Sequence, residues 1–299
     1  MKVIITGAIK GEDKIIEVIR ERGNEVFFMQ NENGELPISP CEVDGVVCNG
    51  LFLYHDIKKF TSLKFIQLTS AGFDRVPMDY IEQKGIKVFN ARGVYSIPMA
   101  EYALWGVLSL YKRAVFFQSN KQQKKWCKHR EIPELYGKKV LIVGCGSVGM
   151  ECAKRFKGFG CEVFGVDRIE KQDCLFEKIY AINDLSNALK IADVVVLTLP
   201  LTSKTKGLFN ESTFAKMKTG SVFVNIARGA IVEERALIES LKSKLFGAVL
   251  DVFEEEPLRE NSELWDLENA IITPHNSFVG EGNSARLHEV ILGNIKGIL

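Results

Sequence analysis

Short β-branched runs alternate with charged, helix-patterned segments along nearly the whole chain. In the first third the strand-like runs are Val3–Thr6, Glu25–Met29, Gly45–Cys48, Phe65–Leu68 and Ile86–Phe89, with an amphipathic helix expected over Glu12–Arg22. From Lys138 the alternation restarts. Strands are expected at Lys139–Val143, Glu162–Val166, Asp193–Leu197, Ser221–Asn225, Gly247–Leu250 and Ala270–Ile272, and helices at Val148–Phe159, Glu211–Met217 and Glu233–Lys242. A strand that returns through a helix lies parallel to its predecessor, and parallel sheets bury both faces. So many units overfill one sheet. The expected fold is therefore α/β, with two doubly wound parallel-sheet domains: 1–93 with 276–299, and 94–275.

The break near Asn90–Val94 leads into a helix expected over Ser96–Ser119, with Pro98 in its first turn, where the missing N–H costs nothing. Tyr102, Leu104, Trp105, Val107, Leu108, Leu110 and Tyr111 make it apolar around most of its circumference, which calls for burial on several sides or by a second subunit; a homodimer through 96–119 is the expectation. Leu287, Val290, Ile291, Ile295 and Ile298 recur at helical spacing near the end and suit packing back onto the first domain.

Composition removes several function classes. The net charge is +1, so no field attracts nucleic acid or an anionic membrane, and the basic stretch Lys121–Arg130 reads as a solvated loop. The longest uncharged apolar stretch, Tyr102–Tyr111, is too short to span a bilayer. The start of the chain lacks the pattern of a signal peptide. Seven cysteines with no CxxC spacing fit reduced thiols in a cytoplasmic protein better than disulfides or a metal knuckle, so no metal is expected.

Val140–Val143 runs straight into Gly144-Cys145-Gly146-Ser147-Val148-Gly149 and a helix, and Asp167 ends the next strand 18 residues after Gly149. Glycine at 144 permits the tight turn, at 146 it admits a pyrophosphate to the helix N-terminus, and at 149 it allows helix and strand to touch. Asp167 would accept the ribose hydroxyls of NAD and repel the 2′-phosphate of NADP, while Arg168 could pair with that phosphate. NAD is the expected cofactor, with NADP left open. Gly7–Gly11 lacks the spacing and reads as a plain turn.

Three later segments place polar residues directly after apolar strands: Asn225-Ile226-Ala227-Arg228-Gly229, Asp251-Val252-Phe253-Glu254-Glu255-Glu256-Pro257 and Thr273-Pro274-His275. Open α/β sheets bind their ligands at the carboxyl ends of strands, so three such residues at three strand ends suggest one site.

The ordered set of the glycine motif with Asp167, the Arg228 and Glu256 segments and Thr273-Pro274-His275 resembles the D-isomer-specific 2-hydroxyacid dehydrogenase family. Ala71-Gly72-Phe73-Asp74, Met99-Ala100-Glu101, Leu135–Lys138 and Leu199-Pro200-Leu201-Thr202 are further similarities. The resemblance implies a flavodoxin-like substrate domain, a Rossmann dinucleotide domain and a cleft between them. It implies reversible reduction of a small 2-oxoacid by NADH. Arg228 would bind the substrate carboxylate and polarise the keto oxygen, His275 would be the acid/base, and Glu256, the acid directly before the proline, would orient it. Ser147, Val148, Leu199, Pro200, Thr205, Ile226, Ala227 and Asp251 would join the cofactor site, Asp251 with the alternative of a strand-end cap. Cys48, Asn49, Gly50, Ala71 and Gly72 would face the substrate.

A carboxylate at 256 argues against formate dehydrogenases of the same fold, which carry an amide there. The chain departs from common members in having Asn276-Ser277-Phe278 after His275 rather than an aliphatic residue, and no C-terminal regulatory domain is expected. The alternative from another class is a dinucleotide-sensing interaction protein, because the C-terminal binding protein corepressors share fold and triad. Those add flexible tails that are not expected here.

Overall fold

The computed structural model describes residues 1–298; Leu299, the end of the segment expected to return to the first domain, lies outside them. The chain divides into two compact units, Met1–Tyr95 with Gly280–Leu299, and Ser96–Val279.

In the first unit the order is β1 (Lys2–Thr6), α1 (Asp13–Glu21), β2 (Glu25–Met29), β3 (Gly45–Cys48), β4 (Phe65–Leu68), α2 (Met78–Lys84) and β5 (Lys87–Phe89). The strands pair in parallel in the order β2-β1-β3-β4-β5. Alternation along the strands divides the core into two layers. Val3 and Ile5 face one way, onto Ile15 and Ile19 of α1 and onto Leu287, Ile291 and Ile295. Ile4, Val46, Ile66 and Leu68 face the other way, with Ile81 of α2.

The second unit runs α3 (Ser96–Tyr111), α4 (Ala114–Gln122), β6 (Lys139–Val143), α5 (Ser147–Gly158), β7 (Glu162–Asp167), β8 (Lys178–Ala181), α6 (Leu185–Leu189), β9 (Val194–Leu197), α7 (Glu211–Lys216), β10 (Val222–Asn225), α8 (Glu234–Ser243), β11 (Gly247–Leu250) and β12 (Ala270–Ile272). Its strands are all parallel, ordered β12-β11-β10-β9-β6-β7-β8. Leu141, Val143, Val195 and Leu197 bury against Phe209, Phe214, Leu237 and Leu241 on one face. Val140, Ile142, Val194, Val196 and Val224 bury against Ala100, Ala103, Val107, Cys152 and Phe156 on the other. The chain returns to the first unit through α9 (Asn283–Ile295), which supplies Leu287, Ile291 and Ile295 to that unit's core.

The long helix expected over Ser96–Ser119 is two helices. The break falls at Arg113, in the left-handed region (φ 55°), with its guanidinium 4.6 Å from the centre of the Phe246 ring. Arginine is a good helix former, so apolar spacing alone could not mark this break. The basic stretch expected as loop overlaps the end of α4 at Lys121–Gln122. Three elements had no strong pattern in sequence: α2, α6 and β8, each seven residues or fewer.

Candidate active site

The site-bearing loops follow β10, β11 and β12, three neighbours in one parallel sheet. Strand spacing of about 4.8 Å puts the three strand ends within about 10 Å. The sequence thus delivers Arg228, Glu256 and His275 to one stretch of sheet edge, although they are far apart along the chain.

The loops after β10 and β11 touch through glycine. A Cβ on Gly229 would lie 1.8 Å from the Phe253 carbonyl, so only glycine lets the Arg228 turn rest on the backbone that leads to Glu256. Asn225, buried at the end of β10, holds this turn at both ends. Its Oδ1 accepts from the Ala227 amide at 3.1 Å, and its Nδ2 donates to the Arg228 carbonyl at 3.2 Å. The Arg228 guanidinium donates to the Ala227 carbonyl at 2.8 Å.

Of the three consecutive glutamates, only Glu256 meets the histidine. Its Oε2 lies 2.8 Å from His275 Nδ1, while Oε1 accepts the Phe253 amide at 3.1 Å. Glu255 instead pairs with Arg259 at the surface. A carboxylate on Nδ1 fixes the Nδ1–H tautomer, so Nε2 is left to take up or release a proton. The ring also meets Phe278 edge-on, centroids 5.9 Å apart.

Asp251 governs where His275 sits. It is wholly buried, and its Oδ1 accepts from Thr273 Oγ1 and the Asn276 amide, both at 2.7 Å, while Oδ2 accepts the Ser277 amide at 2.8 Å. The Asp251 carbonyl also takes the His275 amide at 2.8 Å. His275 is held in the left-handed region (φ 48°) by this clamp. Asp251 thus has the hydrogen bonds of a strand-end cap, one of its two expected roles. Tyr102 of α3 hydrogen-bonds Thr273 and extends the network.

The glycine-rich loop fits a dinucleotide on its own geometry. Gly144 has φ +110°, and a Cβ on Gly149 would lie 2.1 Å from the Gly144 carbonyl oxygen, so the turn and the helix contact both demand glycine. Nothing lies within 4 Å of a Cβ position on Gly146, and a side chain there would fill the space a pyrophosphate needs at the N-terminus of α5. Ser147 and Val148 form the half-buried first turn of that helix. Thr198, absent from the expected set, bonds the Gly144 carbonyl at 2.5 Å. Leu199 is buried in the core, and its backbone backs Gly144. Thr205 ties the loop by bonding the Pro200 carbonyl at 2.8 Å. Ile226 and Ala227 are buried behind the Arg228 turn.

Burial pushes the Asp167 carboxyl up, but the hydrogen bonds from Lys171 and the Arg168 amide, with both residues' charges, hold it below the ordinary carboxylate range. Lys171 Nζ lies 2.5 Å from Asp167 Oδ2. Sequence reading passed over Lys171; its spacing of four from Asp167 was the available signal. Burial raises the Cys145 thiol to about 12 and keeps it neutral within the glycine loop.

In the first unit, Cys48 does not serve as expected. Strand alternation turns it inward, wholly buried with Ile4 and Ile66, where burial pushes its thiol upward. The Asn49 and Gly50 amides both donate to Glu32, each at 2.6 Å, and Glu32 also accepts from Thr6 Oγ1 at 2.8 Å. Glu32 gave no signal in sequence because it lies in an irregular polar stretch after β2. Ala71 and Gly72 follow β4, and their carbonyls accept from Asn90 and Ser70. No helix among the described residues is long and apolar enough to cross a membrane, and these residues contain no His/Cys/Asp/Glu cluster able to hold a metal.

Residues 104–277 match the sequence profile of the D-isomer specific 2-hydroxyacid dehydrogenase NAD-binding domain. The chain is 34% identical over 258 residues to a D-3-phosphoglycerate dehydrogenase of Methanocaldococcus jannaschii, covering 85% of this chain and 49% of that protein. The chain thus spans about half the length of that relative. It is 32% identical to a (S)-sulfolactate dehydrogenase of Chromohalobacter salexigens, covering 81% of this chain and 80% of the other. Among solved structures it superposes with TM-score 0.80 and 25% identity on an Aquifex aeolicus D-lactate dehydrogenase complexed with NAD and lactic acid, covering 99% and 95% of the two chains.

Proposed function

Because the chain belongs to the D-isomer specific 2-hydroxyacid dehydrogenase family, we propose that it reduces a small 2-oxoacid to the D-2-hydroxyacid, and reverses the reaction, with NADH as partner. One observation carries this reading: the 2.8 Å contact of His275 Nδ1 with a Glu256 carboxylate whose other oxygen is already fixed by a backbone amide.

NADH, when bound, supplies the hydride. The side chains do the rest. Arg228 grips the substrate carboxylate with a planar fork and draws electron density from the 2-oxo group. His275 Nε2 gives its proton to the oxygen as the carbon accepts hydride, so each reduction consumes one NADH and one proton. Glu256 stabilises the imidazolium before that transfer, and it keeps the ring oriented afterwards. In the oxidative direction the neutral ring takes the hydroxyl proton back. The Asp251 clamp keeps the imidazole in place throughout.

Loss of NADH absorbance with a panel of 2-oxoacids, followed by chiral analysis of the product, tests the proposal. His275→Ala should lower kcat/KM by about 10³-fold, within the usual range for a lost general acid. Glu256→Gln should lower it less and alter the pH profile. NADH consumption that survives His275→Ala unchanged, or an L-hydroxyacid product, overturns the assignment. The same reading places the protein in a reducing cytoplasm, consistent with its seven free cysteines. It also includes a homodimer through α3 and α4, where Trp105, Val115 and Phe117 remain exposed. Sedimentation at equilibrium decides that assembly.

A further inference from the structure

The end of β7 is where a dinucleotide's adenosine ribose meets a strand-end carboxylate, and in this chain that carboxylate already has partners. Asp167 Oδ1 accepts the Arg168 amide at 2.8 Å, and Oδ2 is 2.5 Å from Lys171 Nζ. Lys171 also reaches the carbonyl of Cys145, inside the glycine-rich loop, at 3.4 Å. One ammonium therefore spans the two elements between which the ribose would sit.

The charges around this point nearly cancel. Asp167 and Asp173 are negative, and Arg168 and Lys171 are positive. Asp167 feels both cations, while the Cys145 thiol feels Asp167, Lys171 and Asp173. Asp173 is turned to its own loop, where it accepts the Leu175 amide at 2.9 Å. A lone carboxylate would repel a 2′-phosphate. A carboxylate paired with an ammonium, with a guanidinium next in the chain, repels it far less.

We propose that Lys171 is a cofactor-selecting residue: held on Asp167 it lets the chain accept NADPH as well as NADH. With NADH, the ribose hydroxyls take over Asp167 Oδ2 and Lys171 swings aside. With NADPH, Lys171 stays at the strand end and donates to the 2′-phosphate, and Arg168 adds a second cation. Both movements are cheap. The Lys171 side chain is 42% exposed and the pair is a surface ion pair on a flexible stem.

The experiment is direct binding. The apoprotein is titrated with NADH and with NADPH, with no 2-oxoacid present, and nucleotide fluorescence is followed for wild type, Lys171→Ala, Lys171→Arg and Asp167→Asn. Failure of the proposed reaction therefore leaves this result readable. Wild-type dissociation constants for the two nucleotides should lie within about tenfold of each other, and Lys171→Ala should weaken NADPH by about tenfold or more while leaving NADH unchanged or tighter. Lys171→Arg should retain NADPH binding, and Asp167→Asn should favour NADPH further. NADPH binding should also fall more steeply with salt than NADH binding. A wild-type preference for NADH beyond about a hundredfold, or equal weakening of both nucleotides in Lys171→Ala with an unchanged melting temperature, overturns the proposal.

Discussion

The two parallel sheets share their edge chemistry but differ in what the edges display. At the amino edge, an aspartate before a central strand caps its neighbour in each unit. Asp44 accepts the Lys2 amide at 2.8 Å and pairs with Lys64, and Asp193 accepts the Lys139 amide at 3.0 Å and pairs with Lys218. At the carboxyl edge, one carboxylate in each unit gathers a threonine hydroxyl and two consecutive backbone amides. Glu32 takes Thr6, Asn49 and Gly50, while Asp251 takes Thr273, Asn276 and Ser277. Each clamp has an imidazole nearby, but His55 Nε2 meets only the Glu32 carbonyl at 2.9 Å, whereas His275, on the loop that Asp251 secures, meets the Glu256 carboxylate. The device that secures a loop is thus general, and chemistry depends on which residue the secured loop carries.

Substitution can break this parallel. Asp251→Ala removes a wholly buried carboxylate and leaves the Thr273 hydroxyl and the Asn276 and Ser277 amides without their acceptor; it should cost about 4 kcal/mol in urea denaturation and abolish most turnover. Glu32→Ala removes the same three bonds from a half-buried position where water can replace them, so about 2 kcal/mol is expected. A larger loss at Glu32 than at Asp251 would show that the two clamps are not the same device at different burial. Smallest are Lys64→Ala and Lys218→Ala, each about 0.5–1 kcal/mol. Burial raises both aspartates, yet the lysine hydrogen bonds, the capped amides and nearby positive charges bring them below the ordinary value of 3.8. Their stabilisation is complete above that value and disappears as pH falls through the lower folded one. The lysine variants should differ from wild type at neutral pH and converge with it in acid, as read by melting temperature against pH.

Much of this was legible in the chain. Val140–Val143 before the glycine motif, and the strands before Arg228, Glu256 and His275, are short unbroken apolar runs whose composition and punctuation mark them as strands. The break at Arg113 was not legible, because a good helix former adopts a left-handed backbone only where tertiary contacts hold it. Cys48 misled for a related reason. Its position next to a loop suggested access, but the strand's two-residue period turned the side chain into the core. Glu32 and Thr198 were missed because each acts on a partner that only the fold brings near, whereas Lys171, four residues from Asp167, did carry a signal in its spacing.

Local chemistry determined the parallel sheets, the glycine turn and the order of the polar strand ends, since these depend on periodicity and on residues a few positions apart. The resemblance pointed to Glu256, but only the tertiary structure set its carboxylate against the imidazole, gathered Thr273, Asn276 and Ser277 onto Asp251, and brought Lys171 to the Cys145 carbonyl. Those outcomes rest on hydrogen bonds a few ångströms long, whose partners are set by strand adjacency and backbone close approach rather than by distance along the chain.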